Sequence, residues 1–311
     1  MTTAAYRAAG ATLALLLLTS CQRTPQAEII VLHTGRLAGN IYPLDIKGAP
    51  LQHYPYLAGY VNQVRAEAAT TGATVLLIDS GDSLTGSFAS HATGGKNVAA
   101  FFQALQYDAL FLGNLDADAD PGLIDSLDIP VLCPFLRDDG SPVQPSAPPV
   151  QQITRNNLAV RLVANFYGQF DPGENPGRFP MWFGPGDQPV RPVRDYTPWM
   201  SGAPPAALTL YHWMKFEGEG EPTDATRALL QSLNVSAVLA HRIYSSGQRE
   251  VWTRGDYSHW PVPVSENILR HNRGFTLARL DLARQGGAWA AVRPPELLQM
   301  TANTAPADPQ I

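Results

Sequence analysis

The segment VLLIDSGDS, residues 75–83, decides the fold. Its apolar run is short and ends in turn-forming Ser and Gly, a pattern typical of a strand buried on both faces of a parallel sheet. The segment LFLGNLD, residues 110–116, has the same form. Each strand is therefore predicted to end in a polar loop, the first carrying Asp82 and the second Asn114.

On both sides of these two segments, strand patterns alternate with helix patterns. The other predicted strands are EIIVLHT (28–34), IPVLCPF (129–135), NLAVRLVANF (157–166), PAALTLYHW (205–213), VSAVLAH (235–241) and a strand pair in GFTLARLDLARQGGAWAAV (274–292). The predicted helices are 54–71, 97–107 and 222–234, the last capped by Thr223 or Asp224. This alternation predicts a layered α/β core with functional loops at the carboxyl ends of the strands.

Composition narrows the class of protein. The chain has 311 residues, of which 45% are hydrophobic, so it can bury one large core or two modest ones. Its formal charge of −5 provides no basic field, and we expect no nucleic acid partner. Fifteen of the 27 prolines lie between Pro130 and Pro205, which predicts Pro-rich loop insertions there.

The amino terminus has the pattern of a targeting segment. Arg7 precedes an apolar run too short to span a bilayer, so residues 1–20 are predicted to be a signal peptide. The run ends in LTSC, which resembles a bacterial lipobox with Cys21 as the lipidated residue; an ordinary signal peptide with an incidental cysteine is the alternative. Residues 21–27 then form a linker. Gln22 favours an outer-membrane anchor, with the protein facing the periplasm.

The remaining cysteine, Cys133, has no partner for an internal disulfide. It lies in an apolar run, which indicates a buried small side chain and not a nucleophile.

Four strand ends present residues that can bind metal: Asp82, Asn114, His212 and His241. A carboxylate, an amide oxygen and two imidazoles at one sheet edge suit zinc, manganese or iron. Each residue also has an ordinary interpretation. Asp82 and Asn114 are common turn formers, His212 suits a half-buried aromatic position, and His241 suits the surface end of a strand.

The order of these segments resembles the calcineurin-like metallophosphoesterases, specifically the 5′-nucleotidase branch. The resemblance covers residues 28–290 and rests on VLHTGRLAGNIYP, VLLIDSGDSLTGS, LQYDALFLGNLDAD, LTLYHW and VLAHRIYS. It implies a layered β-sandwich flanked by helices, formed by residues 28–292, and a disordered tail over 293–311. We expect no counterpart of the C-terminal domain that holds the base in secreted 5′-nucleotidases, so nucleotide specificity is not carried over.

The resemblance also identifies departures from the family's metal site. Asp82, Asn114, His212 and His241 match the full ligand set of the second metal. The ligands private to the first metal are replaced, and so is the histidine that stabilises the transition state; these positions hold Arg36, Ala38, Ile243 and Leu115. The family pattern therefore implies one surviving four-ligand site and one lost site.

With one ion the nucleophile loses part of its activation, and the stabiliser missing at Leu115 is commonly worth ~10²-fold or more. Arg36 has two interpretations. Its guanidinium can fill the space of the first metal and bind a phosphate or sulfate group, or it neutralises a leftover carboxylate or points into solvent. The nearby charges of Asp116, Asp118, Asp120 and Arg242 are expected to be ordinary solvated loop charges.

The leading hypothesis is a lipid-anchored envelope pseudoenzyme that binds a phosphate-bearing small molecule or a partner protein. The first alternative is a weak mononuclear phosphoesterase that uses one divalent metal. The second is a structural module whose Pro-rich loops form an interaction surface.

Overall fold

We describe the protein from a computed structural model, over residues 26–39, 53–113, 116, 119–137, 139–167, 190–216, 223–243, 257–268, 276–300 and 305–310. Three predicted functional residues, Cys21, Asn114 and Leu115, lie outside these ranges, and so does the side chain of Ile243.

The first sheet is built on four parallel strands that follow one another in sequence. They are β1 (Ile29–Thr34), β2 (Thr74–Asp79), β3 (Ala109–Phe111) and β4 (Val131–Leu132). All their residues are buried, as expected for strands covered on both faces. Antiparallel strands extend the other edge: β12 (Thr276–Gln285) pairs with β1 and with both β13 (Ala288–Ala291) and β14 (Glu296–Gln299).

The second sheet has the order β11-β10-β9-β7-β6. Its strands are β6 (Val150–Arg155), β7 (Leu158–Tyr167), β9 (Leu208–Phe216), β10 (Ala237–Ile243) and β11 (Val264–Ile268). β6 pairs antiparallel with β7, and the other neighbouring strands of this sheet pair parallel. A short antiparallel pair, β5 (Phe135–Arg137) and β8 (Val190–Pro192), lies in the Pro-rich region.

The helices of the described residues are α1 (His53–Thr71), α2 (Phe88–Thr93), α3 (Lys96–Ala104), α4 (Pro121–Ser126), α5 (Thr197–Met200) and α6 (Asp224–Ser232). The predicted cap of the last helix is confirmed, because the Thr223 hydroxyl accepts a hydrogen bond from the backbone N–H of Thr226.

Three apolar clusters hold the layers together. The central cluster joins the facing sides of the two sheets, for example Val31 and Ile78 with Leu210 and Leu239. A second cluster packs α1 and α3 on the first sheet, and a third packs α6 on the second. The predicted α/β sandwich flanked by helices is confirmed.

Two sequence interpretations fail in this region. Residues 293–311 were expected to be a disordered tail, yet Glu296–Gln299 form β14 on β12, and Asp308 donates its backbone N–H to the carbonyl of Pro55. Beyond residue 135, the Pro-rich region was predicted to consist of loop insertions apart from the strand over 157–166, yet β6 pairs with β7 through a turn in which Asn156 and Asn157 both have positive φ. Consecutive Asn residues suit that turn and were the available sequence signal.

Candidate functional site

The loops that follow β1 and β2 form the floor of the site. Their backbones are joined by hydrogen bonds from Arg36 N–H to the Gly81 carbonyl (2.7 Å), from Ala38 N–H to the Asp82 carbonyl (3.0 Å) and from Gly39 N–H to the Ser83 carbonyl (2.9 Å). Because β1 and β2 are parallel neighbours, both loops start at the same sheet edge. The structure therefore brings Arg36 and Ala38 beside Asp82, as the resemblance implied.

Three non-glycine residues in these loops have left-handed backbones: Arg36 (φ 52°), Ala38 (φ 49°) and Asp82 (φ 58°). Such conformations are uncommon outside glycine and collect at functional sites. Two glycines allow close approach. A Cβ on Gly35 would lie 2.7 Å from His241 Nδ1, and one on Gly113 would overlap the Asp82 carboxylate. The loops are therefore shaped around Asp82 and His241.

The predicted ligands Asp82, His212 and His241 are all buried. His241 Nε2 lies 3.9 Å from Asp82 Oδ2. His212 stacks on the ring of Phe111, with centroids 4.3 Å apart. The surface position that was an alternative for His241 is therefore wrong, because its side chain is fully buried.

The ring nitrogens of His212 and His241 have unused capacity for hydrogen bonding or metal binding. Among the described residues, neither nitrogen of His241 has a hydrogen-bond partner, and neither nitrogen of His212 has one at ordinary geometry, although contact with the Ser80 backbone partly offsets the fall in the His212 pKa. Burial lowers the pKa of His212 to about 3 and lowers the pKa of His241 well below its ordinary value. Both imidazoles are therefore neutral at physiological pH and offer a lone pair to a cation or to a donor group.

A third buried histidine, His33, is satisfied by its surroundings. Its Nδ1 lies 3.1 Å from Ser80 Oγ and its Nε2 lies 3.0 Å from Ser265 Oγ. This arrangement links the first sheet to β11 beneath the site. Both ring nitrogens of His33 therefore have hydrogen-bond partners, and this side chain supports the site structurally.

Two further carboxylates lie under the loops, and sequence reasoning missed both. Asp79 accepts hydrogen bonds from the hydroxyls of Thr34 (2.7 Å) and Ser83 (3.0 Å), and burial raises its pKa to about 7. Asp116 accepts four backbone N–H groups, from Asp82, Ser83, Leu84 and Gly113. Burial and the Asp82 charge raise the pKa of Asp116, and its amide donors limit that rise.

The expectation that Asp116 is a solvated loop charge is wrong, because it is 1% exposed. Asp120 is exposed as expected, and its carboxylate caps α4 by accepting the N–H of Gly122. The two aspartates lie four positions apart and look alike in the sequence. Only the loop that folds around Asp116 distinguishes them.

Arg36 brings a positive charge to this site. Its Nη1 is buried and has no hydrogen-bond partner among the described residues. The Arg36 charge is one of the causes that lower the pKa of His241, after burial and the charge of His212. The guanidinium therefore acts on the site interior and is not simply directed into solvent.

The donor types fit a divalent ion, since a carboxylate and neutral imidazoles are ligands of zinc, manganese and iron. Each of the two rings has an unpartnered nitrogen lone pair that a bound ion would satisfy, and its other nitrogen would keep its N–H. Within the described ranges, however, no three His, Cys, Asp or Glu side chains converge closely enough to hold an ion. Ligation by Asp82, Asn114, His212 and His241 therefore stays a prediction.

Cys133 is fully buried, and burial raises the pKa of its thiol to about 12. Its expected structural role is confirmed, because a thiol that stays protonated is not a nucleophile.

The two sheets, their flanking helices and the polar loops at one edge form the fold of the calcineurin-like phosphoesterases. Among solved structures, the chain is similar to the sulfate thiohydrolase SoxB of Thermus thermophilus, with a TM-score of 0.63 and 15% identity over 92% of this chain and 59% of that one. A 5′-nucleotidase precursor, also from Thermus thermophilus, gives a TM-score of 0.59 and 17% identity over 90% of this chain and 56% of that one.

The calcineurin-like phosphoesterase YfkN of Bacillus subtilis gives a TM-score of 0.57 and 16% identity over 91% of this chain and 94% of that structure. The chain thus spans somewhat more than half the length of the first two structures. No family model and no curated protein matches the sequence. At these identities the likeness shows the fold alone.

Proposed function

We propose that the protein is a noncatalytic member of this fold that binds an oxyanion group, a phosphate or sulfate ester, at Arg36. The observation that carries the proposal is the buried, unpartnered Nη1 of Arg36 within electrostatic reach of His241. A buried N–H donor without a partner is costly, and an anionic oxygen satisfies both its hydrogen bond and its charge. The guanidinium fork presents two donors to such a group.

The neighbouring imidazoles support the same ligand. His212 and His241 are neutral, so each ring carries one N–H that can donate to an oxyanion. Asp82 would repel an anion at close range, and Arg36 offsets that charge. We therefore expect the anionic group to contact Arg36 directly.

The absence of turnover is the second part of the proposal. Leu115 and Ile243 have no acid, base or ligand group, and Ala38 has none either. A two-metal hydrolase needs both ions to clamp the attacking and leaving oxygens. With Arg36 at a position that the family uses for a metal ligand, the clamp is incomplete.

The test is isothermal titration of inorganic phosphate and of sulfate into the chain beginning after Cys21. We expect binding that falls at least ~10-fold in Arg36→Ala, since one charged hydrogen bond contributes about 1.5–3 kcal/mol. Arg284→Ala is the matched control, because Arg284 is an exposed arginine far along the chain, near the turn after β12. Equal affinity of the Arg36→Ala protein and the parent protein for phosphate and sulfate would refute the proposal.

Hydrolysis is measured on the same samples with a nitrophenyl phosphate ester and a bis-ester. We expect the rate of nitrophenol release to be no higher than that of the Arg36→Ala protein, with or without added zinc, manganese or iron. Turnover that disappears in Asp82→Ala would instead establish an enzyme.

A weak mononuclear phosphoesterase is the second candidate, and the unpartnered ring nitrogens of His212 and His241 favour it. Asp82, Asn114, His212 and His241 would hold the ion, which would supply Lewis acidity and a lowered water pKa. Elemental mass spectrometry of the purified chain tests it. About one metal per chain, lost in the double variant Asp82→Ala and His212→Ala, is the result this candidate requires.

We also propose that Cys21 carries a lipid anchor in the bacterial envelope. The lipobox-like LTSC segment supports this proposal. In the described part of the chain, no helix is both long and apolar enough to cross a membrane. Metabolic labelling with a fatty acid tests the anchor, with Cys21→Ser as the control that should lose the label.

A further inference from the structure

The end of the sandwich opposite the candidate site has a distinct surface, which we call the anchor end. It consists of residues 26–29, 71–74, 156–158 and 285–290, at the amino ends of β1, β2 and β7 and the turn between β12 and β13. Gln26 Nε2 donates to the carbonyl of Thr71 (3.1 Å), which fixes the start of the described chain to this surface. A groove of about 510 Å³ runs between these segments.

Trp289 is the centre of the anchor end. Its indole N–H donates to the carbonyl of Ala207 (2.7 Å), and the guanidinium of Arg284 lies 5.0 Å from the ring centroid. The indole is partly exposed and lines both the first groove and a second groove of about 600 Å³. Pro261, Val262 and Tyr257 line that second groove, whereas the first is lined mainly by polar side chains such as Gln26 and Glu28.

A partly exposed tryptophan beside an arginine matches the chemistry of a membrane interface. Indole rings favour the headgroup level, and arginine keeps its charge with the phosphates while its stem covers apolar surface. Asn156, Asn157, Gly286 and Gly287 form the two turns nearby, and none of them carries a charge. The acidic side chain of the anchor end is Glu28, which is exposed and whose Oε1 accepts the backbone N–H of Arg284 (2.9 Å). The positive charge of Arg284 therefore offsets one negative charge at this surface.

The chain length between Cys21 and Gln26 restricts the geometry. Five peptide steps reach at most about 18 Å when fully extended. β1 then runs from Ile29 to Thr34, about 17 Å, before the loop that carries Arg36 begins. A lipidated Cys21 therefore reaches the anchor end far more easily than the opposite end.

Resting on the proposed anchor at Cys21, we infer that the anchor end lies against the lipid surface, with Trp289 and Arg284 at headgroup level. The Arg36 site then opens on the side away from the membrane. Its oxyanion ligand is consequently a soluble ester and not the phosphate of a headgroup in the same membrane.

The experiment uses the full lipidated chain in vesicles of phosphatidylethanolamine and phosphatidylglycerol that contain a lipid with a nitroxide headgroup. A fluorophore is attached at Gln285→Cys on the anchor end or at Phe88→Cys, which is 91% exposed at the start of α2 beyond the site loops. Cys133 is buried and does not compete for the label. We expect quenching several-fold greater at position 285 than at position 88.

Equal quenching at the two positions, or greater quenching at position 88, would overturn the inference. A chain that fails to sediment with vesicles, and behaves like Cys21→Ser, would overturn it together with the anchor. Phosphate titration of the same samples is unaffected by either result, so failure of the Arg36 proposal is recognised separately.

The role of Trp289 is tested by intrinsic fluorescence in the same vesicles. Trp289→Phe is expected to lose most of the nitroxide-dependent quenching. Trp199→Phe is the matched control, because Trp199 lies in the Pro-rich region beside Arg194 and Pro198 and not at the anchor end. Equal quenching in the two variants would refute contact between Trp289 and the headgroups.

Discussion

Replacing Asp116 by Asn tests whether one buried carboxylate shapes the candidate site. Asp116 Oδ1 accepts the N–H groups of Ser83 (3.0 Å) and Leu84 (2.7 Å), and its Oδ2 accepts those of Asp82 and Gly113 (both 2.8 Å). An Asn side chain keeps one acceptor oxygen and puts an NH₂ group, which accepts nothing, in place of the other. Two buried N–H groups therefore lose their acceptor.

Each unsatisfied buried donor costs about 1–3 kcal/mol, so the free energy of unfolding is expected to fall by about 2–6 kcal/mol. This is a large share of the 5–15 kcal/mol or so that holds a typical domain folded. Guanidinium unfolding, followed by tryptophan fluorescence and by circular dichroism, measures the change. Phosphate affinity should fall as well, because the lost bonds hold the loop that carries Asp82.

Asp120→Asn is the control, since it changes an exposed helix cap only four residues away. Asn caps a helix about as well as Asp, so this variant should stay within about 0.5 kcal/mol of the parent protein. If Asp116→Asn were equally mild, the four hydrogen bonds would not be organising the loop and the reasoning would be refuted.

Three further predictions concern the same region. Burial raises the pKa of Asp79 from 3.8 to about 7, so the stability due to its protonated form is present below about pH 4 and is lost as the pH rises through 7. The free energy of unfolding of Asp79→Asn, measured in urea, should therefore rise relative to that of the parent protein by up to about 4 kcal/mol between about pH 4 and pH 8. Parallel pH profiles of the two proteins would contradict this. Gly113→Ala should destabilise the protein by about 1–3 kcal/mol because its Cβ would overlap the Asp82 carboxylate, whereas Gly122→Ala in α4 should be nearly neutral in the same assay. The family ligands are restored together by four changes, Arg36→Asp, Ala38→His, Leu115→His and Ile243→His. This variant should gain metal-dependent phosphoesterase activity. Continued inactivity of the folded, metal-loaded variant would remove support for a decayed hydrolase.

Local pattern was sufficient to predict the secondary structure around the site. β1 ends at Thr34 and β2 at Asp79, close to the ends that their apolar runs indicate. Parallel strands place their carboxyl ends together, so the meeting of Arg36 with Asp82 followed from strand order. The same reasoning predicted the buried, unreactive Cys133, because an apolar run contains its own evidence of burial.

Contacts between distant segments decided which side chains are buried and where the last strand pairs. Asp116 and Asp120 are the same residue type in one short loop, yet the first is enclosed by backbone from residues 82–84 and 113 and the second faces solvent. β14 has little pattern of its own and is a strand because β12 offers it a free edge. Which end of the sandwich holds Gln26 also depends on the pairing of strands far apart in the chain.

The sequence by itself thus determined the layered α/β class and the sheet edge that carries the candidate site, because these follow from periodicity and residue type. Only the tertiary structure decided which carboxylates are buried, which nitrogens are left without partners and which surface faces away from the site. Burial and hydrogen-bond satisfaction are properties of a residue's neighbours in space, and most of those neighbours come from distant parts of the chain.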